Sequence, residues 1–269
     1  MNETQDKYDI FLMEIIAVQD GAYLIKIIAN KQFTLIKYHP SKKELSLTDD
    51  NKLDTKLNKN KYQLKKILNN KRPDTFFPGF KLKFILRDNH KTIEFNDLSK
   101  IIVLDRRNGG YKTYAEVKSD KEIYRIYTDG CYLHKLKKGA FVAIIKPFTN
   151  KLNIHYDQTD ETSSSLIELL AVIRGLEVSN QIRKLRVITD SRYVIKGLTE
   201  WIFNWKLNDW YTAQGEKVKN INYWKRFDEL SKDKYMEFEW VKGHSEHPEN
   251  TLCDFYAKQV AIRELNYKT

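Results

Sequence analysis

Short runs of apolar residues, several of them alternating with polar ones, fill the first part of the chain. They span Asp9–Val18, Tyr23–Ala29, Gln32–Tyr38 and Glu44–Leu47. Turn-forming pairs such as Asp20-Gly21 and Asn30-Lys31 separate them. Alternating runs of this length are typical of β-strands, and tight turns join antiparallel neighbours. The pattern therefore predicts an antiparallel meander.

The pattern is less regular after the meander. Tyr62–Leu68 has the spacing of a short helix, whereas Lys81–Leu86 and Ile101–Leu104 resemble further strands. Paired arginines and paired glycines in Arg106–Gly110 indicate a hinge or a hairpin loop. We place a boundary near Lys118–Lys121, which gives a smaller, mainly-β domain over residues 1–118 and a second domain over 119–269.

Strands and helices are mixed in the second part. The predicted strands are Glu122–Thr128, Ala140–Lys146, Leu152–Asp157, Lys184–Thr189 and Tyr235–Val241. The predicted helices are Leu166–Val178, Tyr193–Leu198, Tyr223–Leu230 and Asn250–Leu265. The order βββαβααβα, with three strands at its start that are joined as antiparallel neighbours, predicts an α/β domain.

The composition indicates a basic protein of two domains. The 269 residues carry a net charge of +11, of which residues 1–120 contribute +7 and residues 121–269 contribute +4. Two cysteines cannot form a disulfide framework, which favours a reducing compartment. No run approaches the roughly 20 apolar residues of a membrane span, so we expect a cytoplasmic protein without a membrane contact. The excess of basic over acidic residues is weak support for a polyanionic partner.

A lysine- and asparagine-rich run over residues 52–72 is the only low-complexity stretch. It holds eight Lys or Arg residues and one acid, Asp54. One interpretation is a phosphate tether in an accessory substrate-binding module. The other is a solvated, flexible loop between strands, because runs of charge are often simply solvated. A role of this part in protein docking is also open.

Four acids occupy positions that are costly for a folded protein. Asp129 and Asp190 each follow a strand that is predicted to be buried, and Glu168 lies in a helix that is apolar nearly all round. Asp254 lies early in the last helix. An Asp after a strand is most often a turn or cap residue, but capping does not explain Glu168, since a buried carboxylate needs a partner. Together the four acids indicate a site for a hard cation such as Mg²⁺.

The second part resembles type I ribonuclease H, and most closely the bacterial form. The resemblance covers about residues 121–265 and depends on an ordered set of motifs. The matching stretches are Tyr127-Thr128-Asp129-Gly130, Ile167-Glu168-Leu169-Leu170-Ala171, Thr189-Asp190-Ser191, Trp201-Ile202, Asn204-Trp205-Lys206, Val218-Lys219-Asn220, Glu239-Trp240-Val241-Lys242-Gly243-His244, His247-Pro248-Glu249-Asn250 and Cys253-Asp254. We recognise no family motif in the first 120 residues.

The resemblance implies a ribonuclease H-like fold with a mixed five-stranded sheet and flanking helices. It also implies hydrolysis of the RNA strand of RNA–DNA hybrids, which leaves 3′-hydroxyl and 5′-phosphate ends. Two Mg²⁺ ions, or Mn²⁺ ions, would be held by Asp129, Glu168, Asp190 and Asp254, and His244 would assist proton transfer or product release. We expect a monomer whose partner is the hybrid.

Substrate-binding residues are also implied by the resemblance. The stretch Trp201–Asn220 is similar to the basic protrusion with which the bacterial family grips the DNA strand. The candidate contacts are Ser163, Ser164, Arg192, Trp205, Lys206, Lys217, Lys219 and Asn250. Trp201 and Trp224 are at least equally well explained as core residues.

The sequence departs from the family pattern in three places. The segment Cys131–Lys138 replaces a glycine-rich turn, Ser163 and Ser164 replace a Thr-Asn pair, and Arg192 replaces a glutamine. The resemblance implies that the turn lies near the contacts that sense RNA 2′-hydroxyl groups, and that the serines can still bind a phosphate or a hydroxyl with a shorter reach. The three departures bear on RNA sensing and leave the acids intact. Two alternatives follow: a module that binds nucleic acid without cleaving it, and a nuclease of the same fold that acts on DNA or structured RNA.

Overall fold

The chain divides into two units, one of which is formed from two separate stretches of sequence near residues 1–96 and 203–219. In this computed structural model the described residues are 10–47, 51–69, 76–86, 101–105, 112–113, 123–147, 151–243 and 247–262. The first unit comprises residues 1–96 and 203–219, and the second comprises residues 97–202 and 220–269. Within the described ranges, no helix is both long and apolar enough to cross a membrane.

A five-stranded antiparallel sheet is the framework of the first unit and confirms the predicted meander. Its strands are Ile10–Gln19 (β1), Ala22–Ala29 (β2), Gln32–His39 (β3), Glu44–Leu47 (β4) and Lys81–Ile85 (β5), in the spatial order β4-β3-β2-β1-β5. Alternate residues point to one face, which buries the side chains of Phe11, Met13, Ile15, Ile25 and Ile27. The predicted alternation therefore describes one buried face of the sheet.

Two helices cover that buried face, and the lysine-rich run forms them. They span Lys52–Lys59 (α1) and Lys61–Leu68 (α2). Helix α1 begins where the Asn51 side chain accepts hydrogen bonds from the backbone N–H groups of Leu53 and Asp54. The leucines of both helices join the core, namely Leu53, Leu57, Leu64 and Leu68. The flexible-loop interpretation is therefore wrong for residues 52–69, whereas residues 70–72 lie outside the described part of the chain.

The second unit contains the five predicted strands in the predicted order. They span Tyr124–Leu133 (β8), Lys138–Lys146 (β9), Asn153–Thr159 (β10), Lys184–Thr189 (β11) and Tyr235–Trp240 (β12). Strands β8, β9 and β10 are antiparallel neighbours, and β11 pairs in parallel with both β8 and β12. The ribonuclease H-like sheet that the resemblance implied is therefore present, and it is mixed as expected.

Two further strands extend this sheet beyond the expected five. They are Ile101–Asp105 (β6) and Lys112–Thr113 (β7), and the complete order is β10-β9-β8-β11-β12-β6-β7. Strand β6 pairs in parallel with β12, so a strand that we predicted for the first domain belongs to the second sheet. The predicted boundary near residues 118–121 and the predicted loop at residues 106–110 lie outside the described residues, and both stay predictions.

Helices flank both faces of the second sheet. They span Ser164–Val178 (α3), Arg192–Lys196 (α4), Ile221–Ser231 (α6) and Pro248–Ile262 (α7), with a π-helical turn at Gly197–Trp201. A further helix, Ile202–Leu207 (α5), belongs to the first unit from residue 203 onward. Helix α3 lies against Ile126 at Gly175, whereas Tyr127 packs with Ala257 of α7. Because successive strand residues point to opposite faces, α3 and α7 cover opposite faces of β8.

Candidate metal centre

Asp129 is held in the middle of β8 with almost no contact with solvent. Only 7% of the surface of this residue is exposed to solvent. Its Oδ1 accepts a hydrogen bond of 2.8 Å from the backbone N–H of Gly130. A buried carboxylate is expensive unless it is paired or bound to a cation. Strand β8 therefore holds a carboxylate in a buried position that lowers the stability of the fold when no cation is bound.

Gly130 lets α3 approach β8 closely enough to bring Glu168 to Asp129. A Cβ atom on Gly130 would lie 2.8 Å from the backbone carbonyl carbon of Ile167 and 2.9 Å from the backbone nitrogen of Glu168. Real Cβ atoms do not approach backbone atoms so closely, so a residue with a side chain would push the helix away. The glycine thus determines the spacing between the two acids.

Asp190 completes a cluster of three carboxylates. It follows β11, which is the parallel neighbour of β8. Carboxylate oxygens of Asp129, Glu168 and Asp190 all lie within 4.8 Å of one another. The structure therefore brings together three of the four acids that the sequence predicts to hold a metal.

The neighbouring strand and the loop after it position Asp190. The indole Nε1 of Trp240 on β12 donates a hydrogen bond of 2.8 Å to the backbone carbonyl of Asp190. A Cβ atom on Gly243 would lie 2.6 Å from Oδ2 of Asp190. The absence of a side chain at residue 243 therefore leaves the space that the Asp190 carboxylate occupies.

Electrostatics in the cluster favour the binding of a positive charge. Burial, together with the negative charge of Asp190, raises the pKa of Asp129 to about 7. Burial, and then the charges of Asp129 and Asp190, raise the pKa of Glu168 well above its usual range. Both carboxyl groups are thus reluctant to ionise by themselves, which is the usual result of desolvation and like charge.

Asp254 lies at the margin of this cluster. It is half-buried on α7, and its negative charge contributes to the raised pKa of Asp129. Its Oδ2 lies 2.7 Å from Nζ of Lys258, one turn further along the helix. The fourth predicted acid therefore acts on the cluster through its charge while it pairs with a lysine.

These side chains fit a hard divalent cation. Oδ and Oε atoms are the ligands that Mg²⁺ prefers. Oε2 of Glu168 is shielded from solvent and has no hydrogen-bond partner among the described residues. A cation bound there would satisfy this oxygen and would also stabilise the ionised forms of Asp129 and Asp190.

The other predicted residues of the second unit have different environments. Ser163 and Ser164 are exposed at the start of α3. Arg192 is exposed at the start of α4, with its guanidinium carbon 5.2 Å from the centre of the Trp240 ring. Asn250 is only 4% exposed, and its Oδ1 has no hydrogen-bond partner among the described residues. His244 lies outside the described part of the chain.

Four predicted substrate contacts belong to the first unit. Trp205 is half-buried, whereas three lysines are exposed, namely Lys206, Lys217 and Lys219. Trp224, which belongs to the second unit, is fully buried, so it is a core residue as one of our two interpretations held. Trp201 is half-buried, with its ring 5.6 Å from that of Tyr193.

Sequence reasoning did not identify the residues that hold the acids in place. Gly130, Trp240 and Gly243 occur in the quoted motifs, but we gave them no role. A glycine directly after a strand acid is a usable signal, because it permits a close backbone approach. The bond from Trp240 to the Asp190 carbonyl has no such signal, since it depends on the pairing of β11 with β12.

Replacement of Gly243 by alanine is expected to weaken cation binding without unfolding the protein. The new Cβ atom meets the end of a flexible side chain, so Asp190 can rotate away at little cost in stability. We expect the affinity for Mg²⁺, measured by isothermal titration calorimetry, to fall about tenfold. The thermal midpoint should stay within about 2 °C of the parent value. Lys242→Ala, at an exposed neighbour, is the control and should leave both quantities unchanged.

Comparisons with known proteins identify relatives of the second unit. Residues 121–262 match the family model described as RNase H. Ribonuclease H of Citrobacter koseri is 37% identical over 137 residues, which cover 51% of this chain and 88% of that protein. Ribonuclease H of Tolumonas auensis is 38% identical over 141 residues, which cover 52% of this chain and 90% of that protein. The crystal structure of LC9-RNase H1, described as a type 1 RNase H with the type 2 active-site motif, aligns with a TM-score of 0.45 and 20% identity over 54% of this chain and 74% of that chain.

Proposed function

The chain belongs to the RNase H family and is a ribonuclease H, and we propose that it hydrolyses the RNA strand of RNA–DNA hybrids with the help of two divalent cations. Mg²⁺ is the expected ion, with Mn²⁺ as the alternative. The products would carry 3′-hydroxyl and 5′-phosphate ends. The partner is the hybrid, and we expect the protein to act as a monomer.

Asp129, Glu168, Asp190 and Asp254 would hold the ions. Bound divalent cations supply an activated water and stabilise the charge that develops on the leaving oxygen. The protein contributes a rigid arrangement of carboxylates, because three of the acids lie on a strand or helix of the second unit and Asp190 directly follows β11. His244 would accept or deliver a proton, a role that is supported by its place in the sequence motif.

One observation carries the proposal: three carboxylates lie within 4.8 Å of one another, and one of their oxygens is buried without a partner. A domain that only binds nucleic acid would gain stability by losing such a carboxylate, since like charges in a buried site repel. The retention of the cluster therefore favours cleavage over binding alone.

Polar residues of the second unit, three of them exposed, are proposed contacts with the hybrid. The N–H groups at the start of α3 and the hydroxyl groups of Ser163 and Ser164 can bind phosphate or ribose oxygens. Arg192 offers a planar guanidinium that the Trp240 ring supports. Asn250 would contribute only after a rearrangement, because it is buried.

Competition among nucleic acids tests the proposed substrate. A labelled RNA–DNA hybrid is mixed with unlabelled hybrid, double-stranded RNA or double-stranded DNA, in Mg²⁺ and separately in Mn²⁺. We expect cleavage of the labelled RNA strand, and we expect unlabelled hybrid to inhibit at least about tenfold better than either competitor.

The same assay identifies each alternative. Preferential cleavage of double-stranded DNA or RNA would replace the hybrid as the substrate. Tight binding of the hybrid with no cleavage in either ion would show a binding module. An excess of chelator is the control, and cleavage that persists in it would contradict the dependence on divalent cations.

A further inference from the structure

The first unit contains residues 203–219, which we call the protrusion segment. This segment is anchored to the five-stranded sheet of the same unit, which we call the N-terminal sheet. The side chain of Asn208 pairs with the main chain of Lys81 at the start of β5. Its Oδ1 accepts a hydrogen bond of 2.7 Å from the N–H of Lys81, and its Nδ2 donates one of 2.7 Å to the carbonyl of Lys81. Because β5 is an edge strand, this side chain occupies main-chain groups that no neighbouring strand uses.

Asn208 is a buried residue of the first unit. It is only 8% exposed. Its Nδ2 also donates a hydrogen bond of 2.6 Å to the carbonyl of Asn204, one turn earlier in the protrusion segment. The amide therefore fixes the end of α5 and the edge of the sheet to each other. A buried amide with all of these bonds made resists displacement, since breaking them would leave polar groups unsatisfied.

One apolar contact holds the far end of the protrusion segment. Ala213 packs against the core of the N-terminal sheet. Gly215 lies near Phe77, at a distance where a Cβ atom built on the glycine would be 3.7 Å from Cδ1 of that ring. Gly215 has a φ of +76°, a conformation that glycine adopts without strain. The turn therefore lies beside the segment that leads into β5.

Residues 210–218 of the protrusion segment form a hairpin. The N–H of Thr212 donates to the carbonyl of Glu216 at 2.8 Å, and the N–H of Val218 donates to the carbonyl of Trp210 at 3.0 Å. The exposed Lys206 lies two residues before Asn208, which is about 3 Å of helical rise. An anchor at Asn208 thus determines where Lys206 and its neighbour Trp205 lie within the first unit.

The charge of the protrusion segment explains why its position matters. Its three lysines are opposed by Asp209 and Glu216, so its net charge is +1. So small an excess gives little long-range attraction to a polyanion. Binding would instead depend on lysines and aromatic faces that are already in place, because ordering flexible groups on binding lowers the affinity.

We propose that the N-terminal sheet positions the protrusion segment for substrate, with Asn208 as the positioning residue. The inference rests on the proposed hybrid substrate and on the expectation, implied by the resemblance, that Trp205, Lys206, Lys217 and Lys219 contact it. It assigns the N-terminal sheet a role in binding geometry, separate from any contact made by the lysines of α1 and α2. The acids of the second unit would be unaffected by the loss of this anchor.

The test compares Asn208→Ala with the parent protein at full length. We expect the KM for a hybrid to rise about tenfold while kcat stays within about twofold, because only binding depends on the anchor. Hydrogen exchange of residues 203–219 should become faster, which reports the loss of the anchor directly. Gln214→Ala, an exposed change in the same segment, is the matched control and should alter neither quantity.

A second set of variants separates positioning from general destabilisation. Phe77→Ala removes the ring that lies beside Gly215 and should reproduce the rise in KM. In a protein with Lys206, Lys217 and Lys219 all changed to alanine, Asn208→Ala should raise KM by much less, since the two changes act through the same contacts. An effect of undiminished size in that background, a fall in kcat at constant KM, or faster exchange with no change in KM would each overturn the inference.

Failure of the proposed function would be recognised separately. If the parent protein cleaves no hybrid, the substrate assignment is wrong, and this result does not depend on any variant. If the parent protein cleaves the hybrid and Asn208→Ala has the parent KM, the role of the anchor is wrong while the substrate assignment stands.

Discussion

Replacement of Asp129 by asparagine should abolish cleavage and make the protein more stable. Asp129 is the least solvent-exposed residue of the four acids. One of its carboxylate oxygens lies within 4.8 Å of carboxylate oxygens of Glu168 and Asp190. An amide cannot supply the charge that holds a divalent cation, so we expect the cleavage rate to fall about a thousandfold or more. The same amide removes an unfavourable buried charge, so the loss of activity should not come from unfolding.

The gain in stability should depend on pH in a defined direction. Folding raises the pKa of Asp129 from its usual 3.8 to about 7. The folded protein therefore holds this proton more tightly than the unfolded chain, and this contribution to stability is lost as the pH rises through 7. Without divalent ions, Asp129→Asn should melt about 5 °C higher than the parent protein at pH 8, and the difference should shrink toward pH 5.

Thermal melts with and without Mg²⁺ check both parts of this result. Mg²⁺ should raise the melting temperature of the parent protein and have a smaller effect on the variant. Asp157→Asn is the control, because Asp157 is an exposed acid on β10 outside the cluster. Equal cleavage by Asp129→Asn and the parent protein would rule out the proposed centre, whereas a variant that melts lower at pH 8 would contradict the effect of burial.

Replacement of Gly130 by alanine should damage both the fold and the centre. The new Cβ atom would meet backbone atoms of Ile167 and Glu168 at 2.8–2.9 Å, and backbone cannot rotate away as a side chain can. We expect a loss of about 3 kcal/mol in the free energy of unfolding, as for other overpacked cores. The cleavage rate of the folded protein should fall about a hundredfold, because α3 carries Glu168 away from Asp129.

Gly175→Ala is the matched control for this change. It overpacks the same helix against the same strand, with its Cβ atom 2.5 Å from Cγ2 of Ile126, but it lies two turns from Glu168. We expect a similar loss of stability by urea denaturation with nearly the parent cleavage rate for the folded fraction. If both variants lose activity equally, the effect of Gly130 would be general overpacking and not the spacing of the acids.

Local pattern was sufficient for most elements of the fold. The alternation of residues 9–47 predicts four strands within two residues of their observed ends, since each strand has one buried face. The helix Lys52–Lys59 was missed because its lysines and asparagines conceal two leucines at positions 53 and 57. Those leucines become visible as core residues only when the sheet that they cover is known.

Pairing between distant segments was beyond the reach of local pattern. Nothing in Ile101–Leu104 indicates that this strand would pair with β12, more than 130 residues later. Likewise, the side chain of Asn208 gives no sign that it binds the main chain of Lys81. The acids were easier to find, because a carboxylate in an apolar helix is costly wherever the helix lies.

The first unit combines two stretches that are far apart in the sequence, and this arrangement affects the nascent chain during synthesis. The first unit needs residues 203–219, and these leave the ribosome about 120 residues after β5, on the order of ten seconds later. During that interval the edge of β5 lacks Asn208, and an unpaired strand edge invites association with other chains. Nascent chains are therefore most vulnerable to aggregation before the protrusion segment is synthesised, and a chaperone that covers this edge would protect them at that stage.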